Sequence, residues 1–316
     1  MMIVSHVESA VTTTSEKMIT MRSMTEKQTE SNIMCSLEFN IRLDDVVLRR
    51  SIRSGSHTDI GARGSNEDQH IGIDDVSKQL GDVYKWGLPS SFYAIFDGHG
   101  GPEAASYVKD RSYKSANDQA LLAEEECSIS DYCGTTALTV LILGRHLLIA
   151  NVGDCRAVIS RKGVAKQISH DHRPSNLQEK KRVEELGGYF ADGYLNGELA
   201  VTRSLGDRHM KSPIGSYSKS PLTAEPEMTQ MVLSDDDEFM IIGCDGIWDV
   251  MSNEEAVGLV RRQLIQHNDP ERCARELIDQ ALRLHTSDNL TAIVVCFSSQ
   301  IKAPQPWRPK FRRSGQ

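Results

Sequence analysis

The chain is 316 residues long, with 39% hydrophobic residues, 25% charged residues and a formal net charge of −8. That balance is ordinary for a globular chain with its own core, and it argues against a general nucleic-acid binder, whose affinity for phosphate comes from basic surface. No stretch of 18 consecutive apolar residues occurs, so no membrane-spanning helix is expected, and the opening "MMIVSHVESAVTTTSEK" lacks the basic and apolar regions of a secretory signal.

In chain order, residues 1–55 are rich in Ser, Thr, Met and Glu with little periodicity, and read as a disordered leader. Short β-branched, apolar runs at 92–97, 135–143, 146–152, 238–244 and 289–297 read as strands, each bounded by Gly, Asp or Asn. Gly144-Arg145 between two of them predicts a tight hairpin. Residues 175–186 predict a helix closed by Gly187-Gly188. Its Lys180, Lys181 and Arg182 read as a solvated face, with steering of acidic substrates as the alternative. Ser252 followed by Glu255 predicts a capping box opening a second helix. Asp269-Pro270 predicts the N-cap and first residue of a third, with Ala274, Leu277, Ile278 and Leu282 as its apolar stripe. The last segment, 299–316, is proline-containing and basic and reads as a tail that ends the fold, or as a docking or localisation patch. Adjacent strands with separately placed helices argue α+β with antiparallel sheets.

Seven scattered cysteines with no CxxC pair fit reduced thiols in a cytoplasmic or nuclear setting. Cys244 and Cys296 read as small core residues.

The chemistry lies in the acids at strand ends. "ARGSNEDQH" carries Arg63, Glu67 and Asp68; "FDGHGG" carries Asp97, Gly98 and His99; "NVGDCRAV" carries Asp154; "GCDGIWDV" carries Asp245 and Asp249; "TSDNLTA" carries Asp288. One Asp-Gly at a strand end is a turn signal. Carboxylates gathered at one sheet end repel one another unless a cation neutralises them. Hard oxygen donors without a His/Cys cluster suit Mg²⁺ or Mn²⁺ rather than zinc. Asp171, flanked by His170 and His172, reads as a turn into the capped helix rather than a metal site. "AVTRSLGD", with Arg203 and Asp207, reads as a structural turn beside the cleft. Trp248 reads as packing that stiffens its loop.

These motifs, with "CGTTAL", "LAVTRSLGD" and "SDNLTAIVV", resemble in content and order the metal-dependent Ser/Thr protein phosphatases of type 2C, most of all the plant members, from about Asp59 to Phe297. The resemblance implies a four-layer α-β-β-α sandwich over 56–298, two antiparallel sheets flanked by helices, with a dinuclear metal site at one end between the sheets. It implies hydrolysis of phosphoserine and phosphothreonine on proteins by a metal-bridging water, without a covalent intermediate. Asp97 would bridge two Mg²⁺ or Mn²⁺ ions, with the Gly98 carbonyl on one and Asp245 and Asp288 completing the other. Glu67 and Asp68 would hold metal-bound waters, and Asp154 and Asp249, with Asp245, a third ion. Arg63 would grip the phosphate, a role suited to a guanidinium fork, and His99 would protonate the leaving alkoxide. The expected partners are phosphorylated proteins, with neither nucleic acid nor membrane, and the expected state is a monomer.

One departure stands out. Only 32 residues, 102–133, separate Gly101 from Gly134, about half the length usual in such phosphatases, so the helical layer there is expected to be shortened. Loss of several core side chains at about 2–5 kcal/mol each competes with a typical domain stability of about 5–15 kcal/mol. The rival expectation is therefore a catalytically impaired phosphatase-like binding protein. A hydrolase of small phosphate esters is a further alternative.

Overall fold

The computed structural model describes residues 52–80, 89–112, 130–211 and 220–301, together with the backbone of three short strands nearer the N-terminus. Ten strands form the body: β1 (Arg53–Asp59), β2 (Gln69–Ile73), β3 (Ser90–Phe96), β4 (Ala137–Leu143), β5 (His146–Val152), β6 (Arg156–Arg161), β7 (Val164–Gln167), β8 (Glu227–Val232), β9 (Asp237–Gly243) and β10 (Leu290–Cys296). They make two five-stranded sheets, ordered β8-β5-β4-β3-β2 and β7-β6-β9-β10-β1. Every pairing within them is antiparallel. The helices are α1 (Val76–Leu80), α2 (Glu103–Arg111), α3 (Leu177–Glu185), α4 (Asp245–Trp248), α5 (Asn253–His267) and α6 (Pro270–Arg283).

The strands read as continuous apolar runs because both of their faces are covered. In β3, Tyr93 and Ile95 point into the layer between the sheets, packing with Leu138, Val140, Met240, Ile242, Ile293 and Val295. Phe92, Ala94 and Phe96 point the other way, into a cluster that includes Ala105 and Val108 of α2 and Val76 of α1. In β10 the same alternation sends Ala292 and Val294 toward Val260 and Leu264 of α5 and Leu277 and Ile278 of α6. The order of layers is therefore helix, sheet, sheet, helix, as the resemblance implied.

Local signals hold where they were strongest. Ser252 and Glu255 make both halves of the capping box on α5, and Asp269 accepts from Glu271 and Arg272 at the start of α6 with Pro270 in the first turn. Gly144, at φ +58°, turns β4 into β5. α3 starts at Leu177, two residues later than expected, because Asn176 caps it, its side chain accepting from the amides of Gln178 and Glu179. The strand expected at 135–143 is interrupted at Thr136, whose amide donates to the Asp97 carbonyl at 2.8 Å.

Within the segment read as a leader, the backbone pairs as a three-stranded antiparallel sheet, Val7–Ala10, Met18–Ser23 and Leu37–Arg42, and β1 already begins at Arg53. These short runs lack the periodicity by which strands are read from sequence. Of the 102–133 layer, expected to be shortened, α2 is present, and Ala104 and Ala105 on it are buried. Residues 113–129 of this layer lie outside the described residues, as do 302–316 of the tail. No helix among the described residues is long and apolar enough to cross a membrane.

Candidate metal centre

Strand register brings the acids together. Gln69 pairs with Phe96, Ile95 with Leu138, and Ala137 with Val152, so Asp68, Asp97 and the turn carrying Asp154 share one end of the first sheet. Arg156 pairs with Gly243, Gly243 with Ala292, and Leu290 with Asp59, which puts Asp245 and Asp288 at one end of the second.

At that rim, ligand atoms of Asp97, Asp154 and Asp245 lie within 4.8 Å of one another, and so do those of Asp68, Asp97 and Cys244. Burial, followed by repulsion from Asp68, Asp245, Asp154 and Asp288, pushes the Asp97 carboxyl well above the usual range. Burial and Asp154 do the same to Asp245. Burial raises Asp68 to about 6 against the hydrogen bond it accepts from Thr291 Oγ1 at 2.7 Å. Its other oxygen, Oδ1, is buried without any hydrogen-bond partner. An orphaned buried carboxylate oxygen beside a crowded, mutually repelling group is what a hard divalent cation satisfies. Cys244 adds no thiolate, since burial and the nearby Asp68 hold its thiol protonated. The residues present therefore fit a hard divalent cation.

The surrounding residues fix this rim. The Asp97 carbonyl also accepts from Thr135 Oγ1 at 3.0 Å, and Gly98 pairs with Thr135 in a short ladder with His99 and Gly134. The Glu67 amide donates to Asn289 Oδ1 at 2.9 Å, and its carboxylate accepts from the Gly101 amide at 3.2 Å. Asn289 Nδ2 donates to the carbonyls of Ile60 and Ser65, both at 2.9 Å. This one buried amide therefore anchors the loop that carries Arg63. Arg63 is more than half exposed and reaches across to Asp288 Oδ2 at 2.7 Å and the Ser287 carbonyl at 3.1 Å. Trp248 Nε1 donates to the Gly243 carbonyl at 2.9 Å, which stiffens the turn into α4.

Three further roles, besides that of Asn289, escaped the sequence. Asp207 faces His99 Nε2 with both oxygens at 2.9 Å, so this turn does more than shape the cleft. His172 is buried and brackets Gly153. Its Nδ1 accepts from the Gly153 amide at 3.0 Å and its amide donates to the Gly153 carbonyl at 2.9 Å, which fixes the turn that presents Asp154. Because Nδ1 accepts, Nε2 carries the proton and donates to Glu227 at 3.2 Å. Arg173 joins Asp154, Asp245 and Asp249, at 2.7, 2.8 and 2.6 Å. Asp249 meets the cluster only at this outer edge and is itself exposed. Arg203 is structural as expected, since with Arg182 and Thr202 it converges on buried Glu179. Arg182 thus turns inward, while Lys180 and Lys181 stay on the exposed face.

A rim of hard oxygen donors between two packed antiparallel sheets defines a centre suited to divalent cations, and comparison with known proteins gives it a family. The description "Protein phosphatase 2C" matches residues 110–290. The chain is 51% identical over 294 residues to "Probable protein phosphatase 2C 47" of Oryza sativa subsp. japonica, covering 84% of this chain and 75% of that protein. It is 50% identical over 292 residues to "Probable protein phosphatase 2C 13" of Arabidopsis thaliana, covering 83% and 76%. Among solved structures, a phosphatase from Toxoplasma gondii superposes with a TM-score of 0.63 at 19% identity, covering 79% of this chain and 94% of that one. The chain belongs to the protein phosphatase 2C family of metal-dependent serine/threonine protein phosphatases.

Proposed function

We propose that the chain hydrolyses phosphoserine and phosphothreonine on proteins with two divalent cations, Mg²⁺ or Mn²⁺, at the sheet rim, and acts as a monomer in the cytoplasm or nucleus. The observation that carries this is the convergence of Asp97, Asp154 and Asp245 beside the orphaned Oδ1 of Asp68. Asp97, the Gly98 carbonyl, Asp245 and Asp288 would hold the two ions, with Glu67 and Asp68 around them and Asp154 and Asp249 open to a further one. When bound, the ions supply Lewis acidity and activate water for in-line attack on phosphorus.

The protein's own groups do the rest. Arg63, exposed at the rim and anchored through Asn289, grips the phosphate dianion with its guanidinium fork. His99 donates a proton to the leaving serine or threonine oxygen. Asp207 holds the imidazole in place through Nε2. Among the described residues no cysteine is placed as a nucleophile: the five described thiols are all buried.

The test is phosphate release from a phosphothreonine peptide and from a phosphorylated metabolite by the full 316-residue chain, with Mn²⁺, with EDTA and in Asp245→Asn. Metal-dependent release from the peptide, lost in the variant, supports the reading. A cooperative melt with no turnover overturns it in favour of a binding protein. Faster turnover of the metabolite overturns the substrate class.

A further inference from the structure

The Arg173 guanidinium is not a surface charge that happens to pass three acids. Its Nε, Nη2 and Nη1 each meet a different carboxylate, Asp154 at 2.7 Å, Asp245 at 2.8 Å and Asp249 at 2.6 Å. Only about a quarter of its side chain is exposed. Its backbone is pinned on both sides. The Arg173 carbonyl accepts from the Asn176 amide at 2.9 Å, at the capped start of α3, and the preceding His172 brackets Gly153. The cation is thus delivered to the acids by a fixed base rather than by a searching side chain.

Two of those acids have a second allegiance. Asp154 and Asp245 also belong to the group that converges with Asp97. Asp249 lies at the outer edge, bonded to Arg173 and near enough to Asp245 to repel its carboxylate. A divalent ion bound by these carboxylates needs their oxygens at about 2.0–2.6 Å. It would also stand against a fixed positive charge already bonded to the same groups. Arg173 takes one oxygen of each acid, Asp154 Oδ2, Asp245 Oδ2 and Asp249 Oδ1, so an ion seated among the three acids shares their charge with a guanidinium that repels it.

We infer that Arg173 is a tethered counter-ion that competes with a divalent cation for Asp154, Asp245 and Asp249, and so sets the cation affinity of the outer half of the centre. This rests on the divalent-cation reading of the rim given above. In the metal-poor protein Arg173 keeps the three acids together. Entry of a further cation displaces the guanidinium from these acids, which makes occupancy of the outer half responsive to cation concentration; Arg173 makes no bond to Asp97 or Asp68, and Asp245 is the acid that the two halves share.

The experiment is Mn²⁺ binding to the full chain by calorimetry, with free Mn²⁺ counted by electron paramagnetic resonance, so that no step depends on turnover. Arg173→Gln removes the charge and keeps a polar side chain. Its outermost Mn²⁺ is expected to bind about tenfold tighter than in the wild type, the scale of one or two charge-assisted hydrogen bonds. Arg173→Lys keeps the charge with fewer bonds and is expected to tighten binding by only a few-fold, which decides the question if Arg173→Gln does not melt cooperatively. Adding Asp249→Asn to Arg173→Gln is expected to abolish the gain. Unchanged or weaker outer binding in both Arg173 variants overturns the inference, because Arg173 then orients the acids for the ion instead of opposing it. A wild-type chain that binds no Mn²⁺ at all overturns the metal reading itself, and that outcome is seen without any variant.

Discussion

Nε2 of His99 lies 2.9 Å from both carboxylate oxygens of Asp207, which is fully buried and 108 residues away in the chain. Asp207 sits in the left-handed region at φ +49° and is fixed by Ser204 Oγ at 2.5 Å and by its own amide on the Cys133 carbonyl at 3.0 Å. Gly134 makes the approach possible, since a Cβ there would collide with both Asp207 Oδ2 and His99 Nε2. The imidazole is thus held by a carboxylate that cannot move.

Asp207→Asn keeps the shape and removes the charge opposite His99. We expect kcat on a phosphopeptide to fall by about 10–100-fold, up to the lower end of the roughly 10²–10⁴-fold that a positioned proton donor contributes, with KM little changed. The variant should still melt cooperatively. Unchanged kcat would show that the pair is structural only.

Asn289→Ala removes three hydrogen bonds that tie residues 60–67 to the start of β10. Two carbonyls and one amide lose their partner, a loss of about 2–4 kcal/mol. KM for phosphopeptide should rise, because Arg63 rides on that loop. Denaturant unfolding and steady-state kinetics read the two effects separately.

Glu179 gives a pH dependence away from the metal centre. Burial alone would raise its pKa, but hydrogen bonds from Arg203, Arg182 and Thr202 outweigh that and hold it at about 2, against 4.5 for a free side chain. A depressed folded pKa stabilises the fold above the unfolded value, and that stabilisation is lost as pH falls from about 4.5 toward 2. The amount is up to about 3 kcal/mol. Glu179→Gln should be less stable at neutral pH and show a shallower acid limb in urea unfolding. An acid limb parallel to the wild type would refute the assignment.

Ser252→Ala removes the two bonds that the Ser252 hydroxyl makes with Glu255 at the start of α5, and leaves the amide of residue 252 donating to the Glu255 carboxylate. A loss of about 0.5–2 kcal/mol is expected, without change in kcat, since α5 packs on the sheet face rather than at the rim. A kcat loss beyond that explained by unfolding would contradict this separation.

Local signals carried much of the fold. The run 146–152 coincides with β5, and the caps at Ser252 and Asp269 form as expected, because strand runs and capping boxes are written within a few residues. The acids Asp68, Asp97, Asp154 and Asp245 were readable as strand-end carboxylates for the same reason: each sits beside the apolar run that delivers it. Asp207, His172, Arg173 and Asn289 were not readable in these roles. Their partners are fixed only when separate strands come into register, and nothing in "SHDHRP" or "SLGD" names Gly153, Asp249 or His99. "EKKR" shows the same limit. Which of its cations faces inward depended on Glu179 meeting Arg203 from another segment.

The first strand of the sandwich, β1, pairs along its length with the last, β10, from Arg53↔Cys296 to Asp59↔Leu290. The Glu67 amide and the Asp68 carboxylate find Asn289 and Thr291 only there. During synthesis the N-terminal strands emerge long before their final neighbours, and pairings this distant close slowly. The acids of the first half must therefore wait, exposed to solvent, until nearly the whole domain has left the ribosome. A nascent chain released before β10 would carry Arg63, Asp97 and His99 with no phosphatase to show for them.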